Sequence, residues 1–191
     1  PVSARHQSGP VPRPARRDLW RAICNPARSG HDALMRARWL ALPGFLLATL
    51  SAGAIGGLAT ASSVQSWYPT LAKPAWNPPS WLFGPVWTTL YVLMAIAAWR
   101  VWRLTAQPGR TTALRWFWVQ LGLNAAWSFL FFGLRSPGLA LLEIVPLLGA
   151  ILVTLVRFAR LDRVAAALWL PYAAWVSFAT VLNATLWWLN R

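Results

Sequence analysis

The chain has 191 residues, 57% of them hydrophobic and 12% charged, with 18 basic against 4 acidic side chains and a formal net charge of +14. Charged residues make up about a quarter of an ordinary soluble domain, so too little polar surface is available to cover this much apolar sequence in water, and the composition calls for lipid as solvent. Nucleic acid is excluded as the partner of the positive charge, because the arginines sit in short clusters between long uncharged runs and form no basic stripe.

Taken in chain order, residues 1–34 are rich in Pro and Arg and lack apolar periodicity, which predicts a disordered basic extension. A transit peptide is the alternative for an Arg-rich, acid-poor segment, opposed by Asp18, Asp32 and the absence of an amphipathic face. The single cysteine, Cys24, lies here and allows neither an intrachain disulfide nor a thiolate cluster. The first methionine is Met35, and a start there would leave a protein that is almost all membrane.

A membrane helix needs roughly 20 apolar residues to cross the hydrocarbon. Uncharged runs occupy 39–72, 74–99, 116–134 and 164–190, and the run 136–156 contains only Glu143 as a charge. Trimmed at their polar and proline-rich ends, they predict helices near 39–62, 80–103, 114–133, 138–158 and 165–188. The fold class is therefore all-α, an integral membrane bundle of five transmembrane helices built from residues 35–191. Fifteen Lys and Arg residues fall in the N-terminal segment, the second loop and the fourth loop, against Lys73, Arg135 and Arg191 on the other side. Basic residues in short loops are retained on the cytoplasmic face, so the N-terminus is expected to be cytoplasmic and the first loop, 63–79, external. Whether the membrane is a bacterial inner or outer membrane or that of an organelle stays open.

That first loop holds Trp67-Tyr68-Pro69 and Lys73-Pro74-Ala75-Trp76-Asn77-Pro78-Pro79. Its prolines fix φ and push the preceding residues toward extended backbone, which predicts a rigid lid. Of the fifteen tryptophans, Trp39, Trp81, Trp99, Trp102, Trp116, Trp118, Trp187 and Trp188 fall near helix ends, where an interfacial belt is expected. Trp87, Trp127 and Trp175 lie deeper and keep polar company at helical spacing: Trp87, Thr88 and Tyr91 on the second helix, Asn124, Trp127 and Phe131 on the third, and Tyr172, Trp175, Ala179 and Leu182 beside Asn183 on the fifth. Buried hydroxyls and amides in hydrocarbon must find partners, so these stripes should face the bundle interior, either as interhelical glue or as the lining of a small-molecule cavity opening toward the lid. Glu143, the one acid within a span, is read either as a functional group or as a structural hydrogen-bonding one.

The run Trp67-Tyr68, Lys73-Pro74-x-Trp76-Asn77-Pro78-Pro79 and Trp87-Thr88-x-x-Tyr91 resembles the tryptophan-rich sensory protein and translocator protein family, formerly called peripheral-type benzodiazepine receptors. Gln120-x-x-x-Asn124-x-x-Trp127-x-x-x-Phe131-Phe132-Gly133 and Pro171-Tyr172-x-x-Trp175-x-x-Phe178-Ala179-x-x-x-Asn183 extend the resemblance through residues 35–190. It implies a five-helix membrane receptor or sensor, usually a homodimer, that binds porphyrins such as protoporphyrin IX and related lipophilic ligands under the lid. The ligand-binding positions it implies are Tyr68, Trp76, Asn77, Pro78, Trp87, Tyr91, Asn124, Trp127, Phe131, Tyr172, Trp175, Ala179 and Leu182. Trp87 and Trp175 match tryptophans tied in bacterial members to light-dependent breakdown of protoporphyrin. The late cholesterol motif of animal members is missing, since no basic residue follows Tyr172 until Arg191.

Both histidines, His6 and His31, lie in the extension, so the span region is left without the common haem ligands, and no cofactor or metal is expected. A porphyrin would be held by its faces, with Lys73 at the lid to meet its carboxylates. No nucleophile–base pair or carboxylate dyad is evident, which weakens hydrolase and acid–base readings. The alternative is a transporter of tetrapyrroles or other lipophiles, although one acid and five helices supply neither a proton relay nor inverted repeats. A scaffold for partner proteins is a third reading. For self-association, Gly122-x-x-x-Ala126 on the third helix is the expected homodimer face, while Gly53-x-x-Gly56-Gly57 on the first is expected to serve packing within the monomer or the approach of lid or ligand.

Overall fold

The computed structural model describes the backbone of residues 26–191 and the side chains from Trp39 onward, Ala59 excepted. Leu40–Arg191 form one compact unit. Every regular element among the described residues is helical: α1 Pro26–Ser66, α2 Ser80–Trp102, α3 Arg110–Ser128, α4 Pro137–Leu161 and α5 Arg163–Leu189, with a short 3-10 turn at Tyr68–Thr70 and a π turn at Phe129–Gly133. Of residues 1–34, expected to be a disordered extension, 1–25 lie outside the described part and 26–34 are the helical start of α1.

Local chemistry sets the ends. Asp162 caps α5, accepting from the N–H groups of Val164 at 2.8 Å and Ala165 at 3.1 Å, and it also receives Arg100 from the end of α2 through Nε at 2.9 Å. One side chain thus satisfies orphan donors of one helix and ties it to another. Ser136 and Pro137 start α4, with the Ser136 hydroxyl accepting from Leu139. α3 begins after Gly109, whose φ of 85° lies in the left-handed region that glycine tolerates.

α1 runs one turn further than its apolar pattern suggests, to Ser66, so the lid spans 67–79 and the polar run Ser62-Ser63-Val64-Gln65-Ser66 is helix. These serines remain compatible with helix because the Ser66 hydroxyl bonds back to the Ser62 carbonyl at 2.6 Å, while Ser63 reaches across to the Phe132 carbonyl at 2.7 Å. Among the described residues, four helices are long and apolar enough to cross a membrane: Trp39–Ser66, Ser80–Trp102, Pro137–Leu161 and Arg163–Leu189. α3 falls short by that measure because its 19 residues include Arg110, Arg115, Gln120 and Asn124.

α4 packs against α5 and α3, and α2 packs against α5 and α3. α1 approaches its neighbours closely only at separate points. Phe45 meets Phe117 and Trp118 at one end, Gly53 lies against the Tyr91 ring, and Gly56 faces Ser128. The core away from the lid centres on Trp169, which is fully buried among Phe117, Phe158 and Tyr172 and donates its indole N–H to the Ile151 carbonyl at 3.2 Å. The interfacial belt needs one correction. Trp81, Trp118 and Trp188 are exposed as expected, but Trp99 is only 5% exposed, because its position near the end of α2 faces the bundle.

Candidate ligand-binding site

A cavity of about 430 Å³ lies beneath the lid, enclosed by α1, α2, α3 with its π turn, and α5. α2 contributes Phe83, Trp87 and Tyr91, α3 and the π turn contribute Trp127, Phe131 and Phe132, α5 contributes Trp175, Ala179 and Leu182, and Tyr68 closes the roof. Rings stack in pairs along their own helices: Trp87 on Tyr91 with centroids 5.5 Å apart, and Trp127 on Phe131 at 5.2 Å. Such i, i+4 stacking fixes broad faces toward the cavity.

The π turn is what brings two consecutive phenylalanines into reach. Its wider winding, marked by Leu134 N–H bonding to the Phe129 carbonyl at 2.9 Å, lets Phe131 and Phe132 both turn toward the lid, where each packs against Tyr68. The Phe132 carbonyl is the acceptor that Ser63 uses, so the irregular turn also anchors the end of α1.

Behind the ring wall runs a chain of hydrogen bonds. Tyr91 donates to Asn124 Oδ1 at 2.6 Å, Asn124 Nδ2 donates to the Tyr172 hydroxyl at 3.2 Å, Tyr172 donates to Gln120 Oε1 at 2.8 Å, and Gln120 Nε2 ends the chain on the Phe117 carbonyl. All four side chains are buried. In a dry interior, a satisfied network of this kind holds orientation, so Asn124 and Tyr172 fix Tyr91 from behind. Trp127 is fixed likewise, its indole N–H donating to Asn183 Oδ1 at 3.1 Å while Asn183 Nδ2 donates to the Pro137 carbonyl.

The lid is latched at several points. The Tyr68 hydroxyl donates to Asn77 Oδ1 at 2.7 Å, and burial raises the Tyr68 pKa, with the Asn77 bond acting the other way, so the group remains a neutral donor. Asn190, at the end of α5, grips Ala72 twice, accepting from its N–H at 2.9 Å and donating to its carbonyl at 3.0 Å. Lys73 does not reach into the cavity. Its ammonium donates to the Pro69 and Leu71 carbonyls and lies 5.0 Å over the Tyr68 ring, closing the lid on itself.

Of the residues singled out from sequence, Tyr68, Trp87, Tyr91, Trp127, Phe131, Trp175, Ala179 and Leu182 line the cavity. Asn124 and Tyr172 stand behind it. Trp76, Asn77 and Pro78 belong to the lid without lining it; Trp76 packs on Phe178. Gly53, Gly56 and Gly57, expected to serve packing within the monomer or the approach of lid or ligand, stand in the α1 wall of the cavity, while sequence reasoning missed the rest of that wall, Leu50, Ala54, Thr60 and Val64, together with Phe83 and Leu186. The glycines carry no side chain to mark a stripe, and their crowding in Gly53-Ala-Ile-Gly56-Gly57 was the available signal. Glu143 has both carboxylate oxygens buried with no hydrogen-bond partner among the described residues, so the structural bond expected as one of its roles is not formed. No group of His, Cys, Asp or Glu suited to a metal occurs among the described residues.

Apolar helices around an aromatic cavity, roofed by a proline-rich loop, define a helical integral membrane protein. The chain belongs to the TspO/MBR family, which it matches over residues 45–189. It is 42% identical over 152 residues to the tryptophan-rich protein TspO of Archaeoglobus fulgidus, covering 79% of this chain and 97% of the relative. It is 36% identical to the translocator protein of Homo sapiens over 155 residues, 80% of this chain and 92% of that one. A tryptophan-rich sensory protein of Cereibacter sphaeroides is 40% identical over 119 residues, 62% of this chain and 73% of the relative.

Proposed function

We propose that this membrane protein is a receptor or sensor that takes up a porphyrin, protoporphyrin IX or a related tetrapyrrole, in the cavity beneath the lid. The observation that carries the reading is the cavity itself, with tryptophan, tyrosine and phenylalanine faces from three helices and no Lys, Arg, Asp or Glu among the residues lining it. That lining suits a broad apolar macrocycle held by stacking. Trp87 and Trp175 act further as electron donors to the photoexcited porphyrin, an indole losing the electron that the ring gains, with dissolved dioxygen as the oxidant that consumes the ring; the motive is that both indoles line the cavity. Because Lys73 is engaged by lid carbonyls and does not line the cavity, the cavity wall offers the ligand's carboxylates no cation.

The N-terminus is cytoplasmic in this proposal, supported by the excess of arginine on that side. The working unit is a homodimer through α3, supported by the exposure of Gly122 and Ala126 and by the open space at Gly122, where an added Cβ would meet no atom within 4 Å.

Titration of the purified protein with protoporphyrin IX in the dark, followed by illumination, tests the reading. Saturable quenching of tryptophan fluorescence is expected, then light-dependent loss of porphyrin absorbance. Absence of saturable binding would remove the porphyrin assignment.

A further inference from the structure

We infer that the cavity is loaded sideways from the bilayer, through a slit between α1 and α2, and that its ligand is a molecule dissolved in the hydrocarbon. The inference rests on the reading of the cavity as a ligand site. Its geometry comes from six residues that both line the cavity and are exposed: Leu50, Ala54 and Gly57 on α1, and Ser80, Gly84 and Thr88 on α2. On α1 they fall at i, i+4 and i+7, and on α2 at i, i+4 and i+8, so each set runs along one side of its helix. The two stripes are the lips of one opening.

Both lips lie in helices long and apolar enough to cross the membrane, so the opening faces hydrocarbon. The helices touch at its floor, where Gly53 lies against the Tyr91 ring. Above that contact the lips are built largely from small residues, and an added Cβ at Gly57 or Gly84 would meet nothing within 4 Å. Chemistry at the slit favours apolar passage. The Thr88 hydroxyl donates to the Gly84 carbonyl at 2.9 Å and the neighbouring Thr60 hydroxyl to the Gly56 carbonyl at 2.6 Å, so each is spent on its own helix. The route from water is by contrast shut, since Asn190 grips Ala72 twice and Tyr68 is bonded to Asn77. A ligand coming through the lid must break those bonds, whereas one coming from the bilayer breaks none.

Stopped-flow quenching of tryptophan fluorescence by protoporphyrin IX, with the full chain in nanodiscs, tests this route. The pair Gly57→Leu and Gly84→Leu fills the slit at positions with room for a side chain, and Asn190→Ala removes the lid latch. The leucine pair is expected to slow association and dissociation together by about tenfold, while Asn190→Ala alters neither rate by more than about twofold. Unchanged rates in the leucine pair, or an approximately tenfold acceleration by Asn190→Ala, overturn the lateral route. If the wild type binds no porphyrin, the ligand reading fails instead, and nanodiscs of lipids brominated along the acyl chain read the slit alone. The leucine pair must then abolish the part of the bromine quenching that Trp87→Phe also removes; equal quenching of wild type and leucine pair overturns the slit.

Discussion

Asn124 shows how a residue can shape a cavity it does not line. Its amide accepts from Tyr91 on one side and donates to Tyr172 on the other, so its removal leaves two buried hydroxyls short of a partner. Asn124→Ala is expected to cost about 1–3 kcal/mol of stability and to weaken porphyrin binding by loosening Tyr91. Thermal unfolding in nanodiscs beside a binding titration reads both; a variant as stable as the wild type would show that the chain of hydrogen bonds carries no net energy. Replacing Trp87 and Trp175 by Phe keeps ring area on the wall but removes the readily oxidised indoles. Porphyrin binding should then persist while light-dependent loss of its absorbance disappears, and undiminished photochemistry would assign the electron donor elsewhere.

Among the elements, the α4–α5 junction is the point where one side chain serves three partners. Asp162→Ala removes the cap of α5 and strands Arg100 at the end of α2, for an expected loss of about 1–2 kcal/mol from the cap. Asp162→Asn, which can still cap, should recover most of it, and denaturation of the two variants side by side makes the comparison. Helix positions were largely legible in the sequence because charges and prolines bracket the apolar runs. Two features were not. The apolar pattern ends α1 a turn early because Ser62, Ser63, Gln65 and Ser66 carry loop chemistry, while their helical state depends on a back-bond and on a carbonyl of a distant segment. The π turn leaves no compositional mark either, since Phe129-Leu-Phe-Phe-Gly133 would read equally well as the last turn of an α-helix. The ring stripes on α2, α3 and α5 were legible through their period, whereas the glycine wall of α1 is defined only by what packs against it.

For the molecule as a whole, two glycine sites separate assembly from folding. A side chain at Gly53 would collide with the Tyr91 ring, while one at Gly122 would project into open space on an exposed face of α3. Gly53→Leu should therefore depress folding yield and porphyrin binding. Gly122→Leu should leave the monomer intact and shift the proposed dimer toward monomer in mild detergent, as read by light scattering or cross-linking. The reverse pattern would place self-association on α1.

The π turn has a consequence for how length can vary along this chain. It holds one residue more than an α-helical turn would need, and an α-helix rotates by about 100° per residue. Deleting one residue between Phe129 and Gly133 would let α3 close into regular helix with no gap in its backbone bonding, so the bundle could survive the loss. The aromatic faces now turned toward Tyr68 would swing by about that angle, withdrawing a ring from the cavity wall. A single-residue change in length at this place would therefore be felt first as altered ligand preference and only second as altered stability.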